Sequence, residues 1–353
     1  MNQLVAARSG SVESVRRGQV VASARLEWTA ALLSLALVGG IFLDGWAHNN
    51  GRVDDSFFTP WHAVLYSAML LSGLYLGANL VINRVRGYAW RGGLPAGYLL
   101  SLAGVVFFFL AGAGDLVWHN VFGFEVDVEA LLSPAHLALG LGAVLLVSGP
   151  ARVAWGRATE SGGRASWPAV LSLFATLSVF TFFTHFAHSY TGVDVVSGMA
   201  PDGDPYFYDT TIISYVLIPT TLLMGFILLA LRRWRLPAGA LALFLAGNAG
   251  LMFVLRLGDV KNYWPILPAA LVSGLLVEAL ARTLRPGMER PGALRLFAFL
   301  TPFIFHLLYF LTLIATAGIW WRIHLWLGVT VMSGILGLGL SLLLVPPAYP
   351  AGE

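Results

Sequence analysis

The stretch LDGWAHNNGRVDDSFFTPWHAVLYSAML, residues 43–70, closes one apolar run, crosses a short polar loop and opens another. Asp44 and His48 stand in the last turn of the first run. Arg52, Asp54 and Asp55 occupy the loop, and Thr59-Pro60-Trp61-His62 begin the return. A helix needs about 20 apolar residues to cross a bilayer core of about 30 Å, and both flanking runs meet that length. The stretch therefore reads as the turn of a transmembrane hairpin with ionisable groups held at its rim. Such groups are costly in a membrane helix and mark function more often than decoration.

The same grammar extends along the chain. Of its 353 residues, 58% are hydrophobic and 11% charged, against about 25% charged in soluble domains. Mean hydropathy is +0.76. The periodicity predicts an all-α, polytopic transmembrane bundle of about ten spans, at 28–48, 60–82, 97–120, 133–150, 167–189, 211–231, 236–256, 264–283, 296–319 and 322–346. These pair as five hairpins opening toward one face. Three regions follow: 1–27 as a polar N-terminal segment, 28–150 as four helices carrying two related hairpins, and 151–353 as six helices with no assigned role. Residues 1–27 are arginine-rich and lack the short apolar core and small-residue cleavage site of a secretory signal, so the first apolar run is expected to be retained.

Arginines orient the bundle. Arg8, Arg16, Arg17 and Arg25 precede the first span, and each loop after an even-numbered span carries three or four more. Only Arg52, Arg256, Lys261 and Arg322 fall on the other side. The positive-inside rule then puts both termini in the cytoplasm of a cell (inner or plasma) membrane. The net charge of +3 is an orientation signal, and no nucleic-acid partner is expected. The lipid bilayer is the expected surrounding. Twelve of the 18 carboxylates and all histidines but His306 gather at the opposite, extracytoplasmic face. With no cysteine in the chain, disulfides, thiolate metal sites and iron–sulfur clusters are excluded.

The opening motif recurs. DGWAHNN…FFTPWHAVLYSAMLLSG is echoed by DLVWHNV…LLSPAHLALGLGAVLLVSG. Residues four apart share a helix face, so Asp44 with His48, and Asp115 with His119, point the same way. Thr59-Pro60 and Ser133-Pro134 suit an N-cap followed by the first helical position, which puts His62 and His136 in the first turns of the returning helices. Each hairpin can then converge one carboxylate and two imidazoles. Such a set suits Cu(II), Fe(II) or Zn(II); the competing reading is an Asp–His hydrogen bond that only locks the hairpin.

These residues resemble the C subunit of the copper membrane monooxygenases, the particulate methane and ammonia monooxygenases. Asp44-x-x-x-His48, Arg52-x-Asp54 and Phe58-Thr59-Pro60-x-His62 with Tyr66 are similar to that family's copper-binding run. Asp115-x-x-x-His119, Glu125 and Ser133-Pro134-Ala135-His136 are similar to its next metal site, where the family has Asn in place of Asp115. The resemblance spans roughly residues 40–145. It implies copper, with zinc or iron as alternatives, and O2-dependent oxidation of a small apolar substrate. It also implies partner subunits or a homo-oligomer, and a quinol or other electron donor. Ten spans exceed the family's C subunit, and residues 167–353 carry no such likeness.

Outside the repeat, His185 and His188 read either as a third ligand cluster or as vestibule lining. His306, deep in its span, is expected to face His324 or a backbone carbonyl. Glu278 and Arg282 suit an i,i+4 salt bridge. The class-level alternative to an oxidoreductase is a non-catalytic copper protein: a store, chaperone, sensor or scaffold subunit.

Overall fold

The computed structural model describes residues 18–52, 58–123, 127–157 and 163–346. Asp54, Asp55 and Glu125 lie outside them. Eleven helices organise the rest: α1 (Ala24–Asn49), α2 (Pro60–Val85), α3 (Tyr98–Phe122), α4 (Pro134–Val147), α5 (Gly149–Arg157), α6 (Trp167–Phe183), α7 (Pro205–Arg233), α8 (Ala240–Leu255), α9 (Ile266–Leu284), α10 (Pro291–Thr316) and α11 (Ile323–Leu344). Helix is the expected solution, because lipid offers backbone amides no partner and the chain must satisfy them internally. Side-chain oxygens close several starts: Ser23 accepts from the Leu26 amide, Thr59 from His62, Ser133 from His136 and Asp204 from Tyr206.

Seven of these helices are long and apolar enough to cross a membrane, or nine if each of two bent pairs is one span. The chain is thus an all-α, multi-pass membrane protein, and three of the ten expected runs are not single long helices. The run at 133–150 bends by 43° between α4 and α5, where Pro150 follows the break and lacks an amide for the ladder. The run at 236–256 ends in a 98° elbow before Leu257–Tyr263. The run at 167–189 is α-helical only to Phe183; a single 3-10 turn follows at His185–Ala187, and α6 is 17 residues long. That is about 26 Å at 1.5 Å per residue, short of the hydrocarbon thickness.

Sequence neighbours pack as antiparallel pairs: α1 on α2, α3 on α4, α8 on α9 and α10 on α11. Glycines set the closest approaches in the first two pairs. A Cβ on Gly40 would lie 2.8 Å from Leu65 Cα, and one on Gly104 would lie 2.8 Å from the Gly142 carbonyl oxygen. Small residues let helices approach where lipid supplies no hydrophobic drive between them. α6 lies against α1, and α7 against α11. Met69, Tyr98, Phe108, Phe244, Phe297 and Phe310 fill the interior, while Leu70, Leu71, Leu74, Leu271, Leu275 and Leu276 face outward toward acyl chains.

Candidate metal centres

Each of the first two hairpins carries a triad at the same end of the bundle. In the α1/α2 hairpin, Asp44 Oδ1 lies 3.4 Å from His62 Nε2, and Asp44 Oδ2 lies 3.9 Å from His48 Nε2. In the α3/α4 hairpin, Asp115 Oδ1 lies 3.5 Å from both His119 Nε2 and His136 Nδ1. Within each triad one ligand atom per residue lies within 4.8 Å of the others, and among the described residues these are the two groups of His and carboxylate so arranged. An ion holds its nitrogen and oxygen ligands at about 2.0–2.2 Å, so ligand pairs on one ion sit at most about 4.2 Å apart. The carboxylate–imidazole distances already satisfy that limit.

The same distances argue against a simple lock. Charge-assisted hydrogen bonds run about 2.7–2.9 Å, and none of these contacts is that short. Asp44 Oδ1 and Asp115 Oδ1 are instead buried with no hydrogen-bond partner. Asp115 is 2% exposed. An unsatisfied carboxylate at that depth carries a desolvation cost that a cation would offset. The donor set of two nitrogens and an oxygen fits copper, iron or zinc, with positions left for water or substrate.

Local structure explains how the ligands are aimed. The hydroxyls of Thr59 and Ser133 cap α2 and α4, and each takes the amide of the histidine three residues on. His119 Nδ1 lies 3.3 Å from the Gly123 carbonyl, and Gly123 has φ of 84°, a backbone turn that glycine favours. Donation to that carbonyl leaves Nε2 as the lone-pair nitrogen facing Asp115, the tautomer a ligand needs. His136 differs: the nitrogen nearest Asp115 is Nδ1, which also lies 2.8 Å from Ser133 Oγ. The first triad is the more open, since His48 is 44% exposed along its side chain against 9% for His119.

Two sets of contacts around the triads depend on tertiary packing. Tyr66, one turn beyond His62, stands edge-on to that imidazole with ring centres 6.2 Å apart. Its hydroxyl presses on Gly112, three residues before Asp115, where a Cβ would collide with it. One phenol thus lies between the first triad and the stretch of α3 that leads to Asp115. Trp46 and Trp61 form a clasp over the first triad: their rings meet edge-on at 5.9 Å, Trp61 donates to the Arg52 carbonyl at 3.0 Å, and the Arg52 guanidinium lies 5.4 Å from the Trp46 ring centre. The asparagines after His48 also acquire a role. Asn49 donates to the Leu255 carbonyl and Asn50 accepts from the Gly258 amide, which ties this rim to the elbow after α8.

The remaining histidines join neither triad. His185 Nδ1 pairs with the Phe182 carbonyl, and buried His188 accepts from the Tyr190 amide and bonds the Asn248 side chain. Asn248 in turn donates to Thr181. His306 bonds the Thr220 hydroxyl at 2.9 Å, contrary to the expected His324 or carbonyl partner; α7 supplies the group at that depth. His306 Nδ1 is buried without a hydrogen-bond partner, and His324 is exposed at the start of α11. Glu278 forms no ion pair with Arg282: its Oε1 accepts the Leu241 amide at 2.8 Å, closing an orphan donor at the start of α8.

Comparison with protein-family models, curated proteins and solved structures returns no match.

Proposed function

We propose that the protein is a copper-binding integral membrane oxidoreductase, with Asp44, His48 and His62 holding one ion and Asp115, His119 and His136 another. The supporting observation is a pair of carboxylates, each facing two imidazoles and each holding a buried oxygen without a hydrogen-bond partner. Copper, iron or zinc fits the donor set; the sequence resemblance to the monooxygenase C subunit favours copper. Bound copper would supply redox chemistry toward O2. The chain's own groups do the rest. Asp44 and Asp115 neutralise ion charge in a low-dielectric setting, where Coulomb terms are large. Gly123 orients His119, and the hairpin packing fixes the spacing. An apolar substrate reaches this rim laterally through lipid, past the exposed Leu137, Val117 and Val121. Electrons come from outside the chain, from a quinol or a partner subunit. The triad-bearing end faces away from the cytoplasm, by the arginine bias.

The test is metal analysis and O2-dependent oxidation of short-chain hydrocarbons in membranes. Wild type should consume O2 with substrate, and an Asp115→Ala/His119→Ala variant should not. Full activity in that variant would remove the assignment. Exposed His48 favours a second reading, a copper store or chaperone exchanging its ion with a partner; tight copper binding without any O2 consumption would select it.

A further inference from the structure

The opposite, arginine-rich end holds a cavity of about 610 Å³, within the range of roughly 300–1,000 Å³ typical of small-molecule sites. It lies where α7 ends, α8 begins and α9 turns into α10. Arg164, Arg232, Arg235, Arg282, Arg285 and Arg290 line it. Only two carboxylates accompany them, and one, Glu278, is engaged by the Leu241 amide. We propose that this cavity binds a phosphate-bearing anion, supplied by a phospholipid headgroup or by a soluble phosphate.

Membrane orientation alone accounts for arginines at this end, but not for six of them converging on one cavity. Several others on the same face are engaged. Arg157 pairs with Glu27, Arg152 bonds Gly97, Ser101 and Leu145, and Arg84 bonds the Tyr88 carbonyl and lies over Trp90. The six cavity arginines are exposed and make no ion pair with a described residue. Two are even forced together, because strand Gly163–Arg164 pairs with Trp234–Arg235 in a register that sets Arg164 beside Arg235. Like charges placed side by side across strands repel, a cost that an anion between them removes. Arg285 adds a backbone signal. It is the non-glycine residue with positive φ (50°) among the described residues, at a helix C-terminal position where glycine is usual. Guanidiniums recognise phosphate bidentately, and basic pockets between membrane helices take phospholipid headgroups. Leu231, Leu236 and Met288 give the cavity an apolar side against which an acyl stem can lie.

The test uses full-length, delipidated protein in a neutral detergent, read by native mass spectrometry and by unfolding midpoint. The probes are diphosphatidylglycerol, phosphatidylcholine and inorganic pyrophosphate. Selective binding of diphosphatidylglycerol over phosphatidylcholine supports a lipid source, and pyrophosphate binding that blocks the lipid supports a soluble one. In either case Arg164→Gln/Arg235→Gln should weaken binding tenfold or more. Arg25→Gln/Arg91→Gln, which removes the same charge from exposed sites outside the cavity, should leave it unchanged. Arg285→Gly relieves the backbone while removing a guanidinium, so it should keep the ligand-free midpoint and still lower affinity. Equal binding of all probes, no binding, or equal losses in the two double variants would overturn the site.

Discussion

Replacing Asp115 by leucine separates a metal centre from a structural lock, because the two readings give opposite signs. Asp115 is 2% exposed and its Oδ1 has no hydrogen-bond partner. Without metal, that oxygen carries an unrecovered desolvation penalty of about 1–3 kcal/mol, more if charged. Asp115→Leu removes it and adds apolar contact, while the local partners Gly123 and Ser133 continue to hold His119 and His136. In chelator, the variant should be more stable than wild type by about 1–3 kcal/mol. With copper at a thousandfold over its dissociation constant, a site contributes about 4 kcal/mol. Wild type then gains at both triads and the variant only at the first. The order should therefore reverse in copper, with the variant less stable by about 1–3 kcal/mol. Unfolding in detergent, followed by the fluorescence of the 12 tryptophans, reads both conditions. A variant destabilised in chelator, with an undiminished copper gain, would show that Asp115 merely ties the hairpin together.

Other expectations follow from the packing. Gly40→Val must push α1 from α2 at Leu65, and Gly142→Val must push α3 from α4 at Gly104; each should cost its own hairpin one copper and spare the other, as counted by elemental analysis. Gly112→Ala should displace the Tyr66 hydroxyl and alter the copper spectra of both centres, and a change at only one would refute the bridging role. Thr220→Val leaves the His306 Nε2 contact unmade and should destabilise the protein by about 1–3 kcal/mol without changing metal content. Loss of metal there would place His306 in the centres after all.

Much of this arrangement was legible in residues 43–70 and 115–136, because it rests on local rules. An i,i+4 spacing, a hydroxyl before proline and a short loop are enough to place three side chains of one hairpin. What was illegible depends on partners distant in sequence. Tyr66 reaches from His62 to Gly112 only because α2 packs on α3. The elbow at Arg256 has no proline within it; it is held by Asn50 bonding Gly258 and by the Arg256–Asp259 pair. Glu278 had a plausible partner one turn away in Arg282, yet an unsatisfied helix-start amide from α8 took it. The α4/α5 break did carry a signal, since Pro150 inside an apolar run interrupts the hydrogen-bond ladder. The parallel pairing that sets Arg164 beside Arg235 joins segments some 70 residues apart and leaves no trace in local composition.

The most direct measurement is the element and stoichiometry that co-purify with wild type and with His62→Ala, His136→Ala and the double variant. Twin copper centres require close to two copper ions per chain in wild type, one in each single variant and none in the double, matching the two triads. Metal-free wild type after copper supplementation, or a copper count unmoved by all three variants, would contradict them.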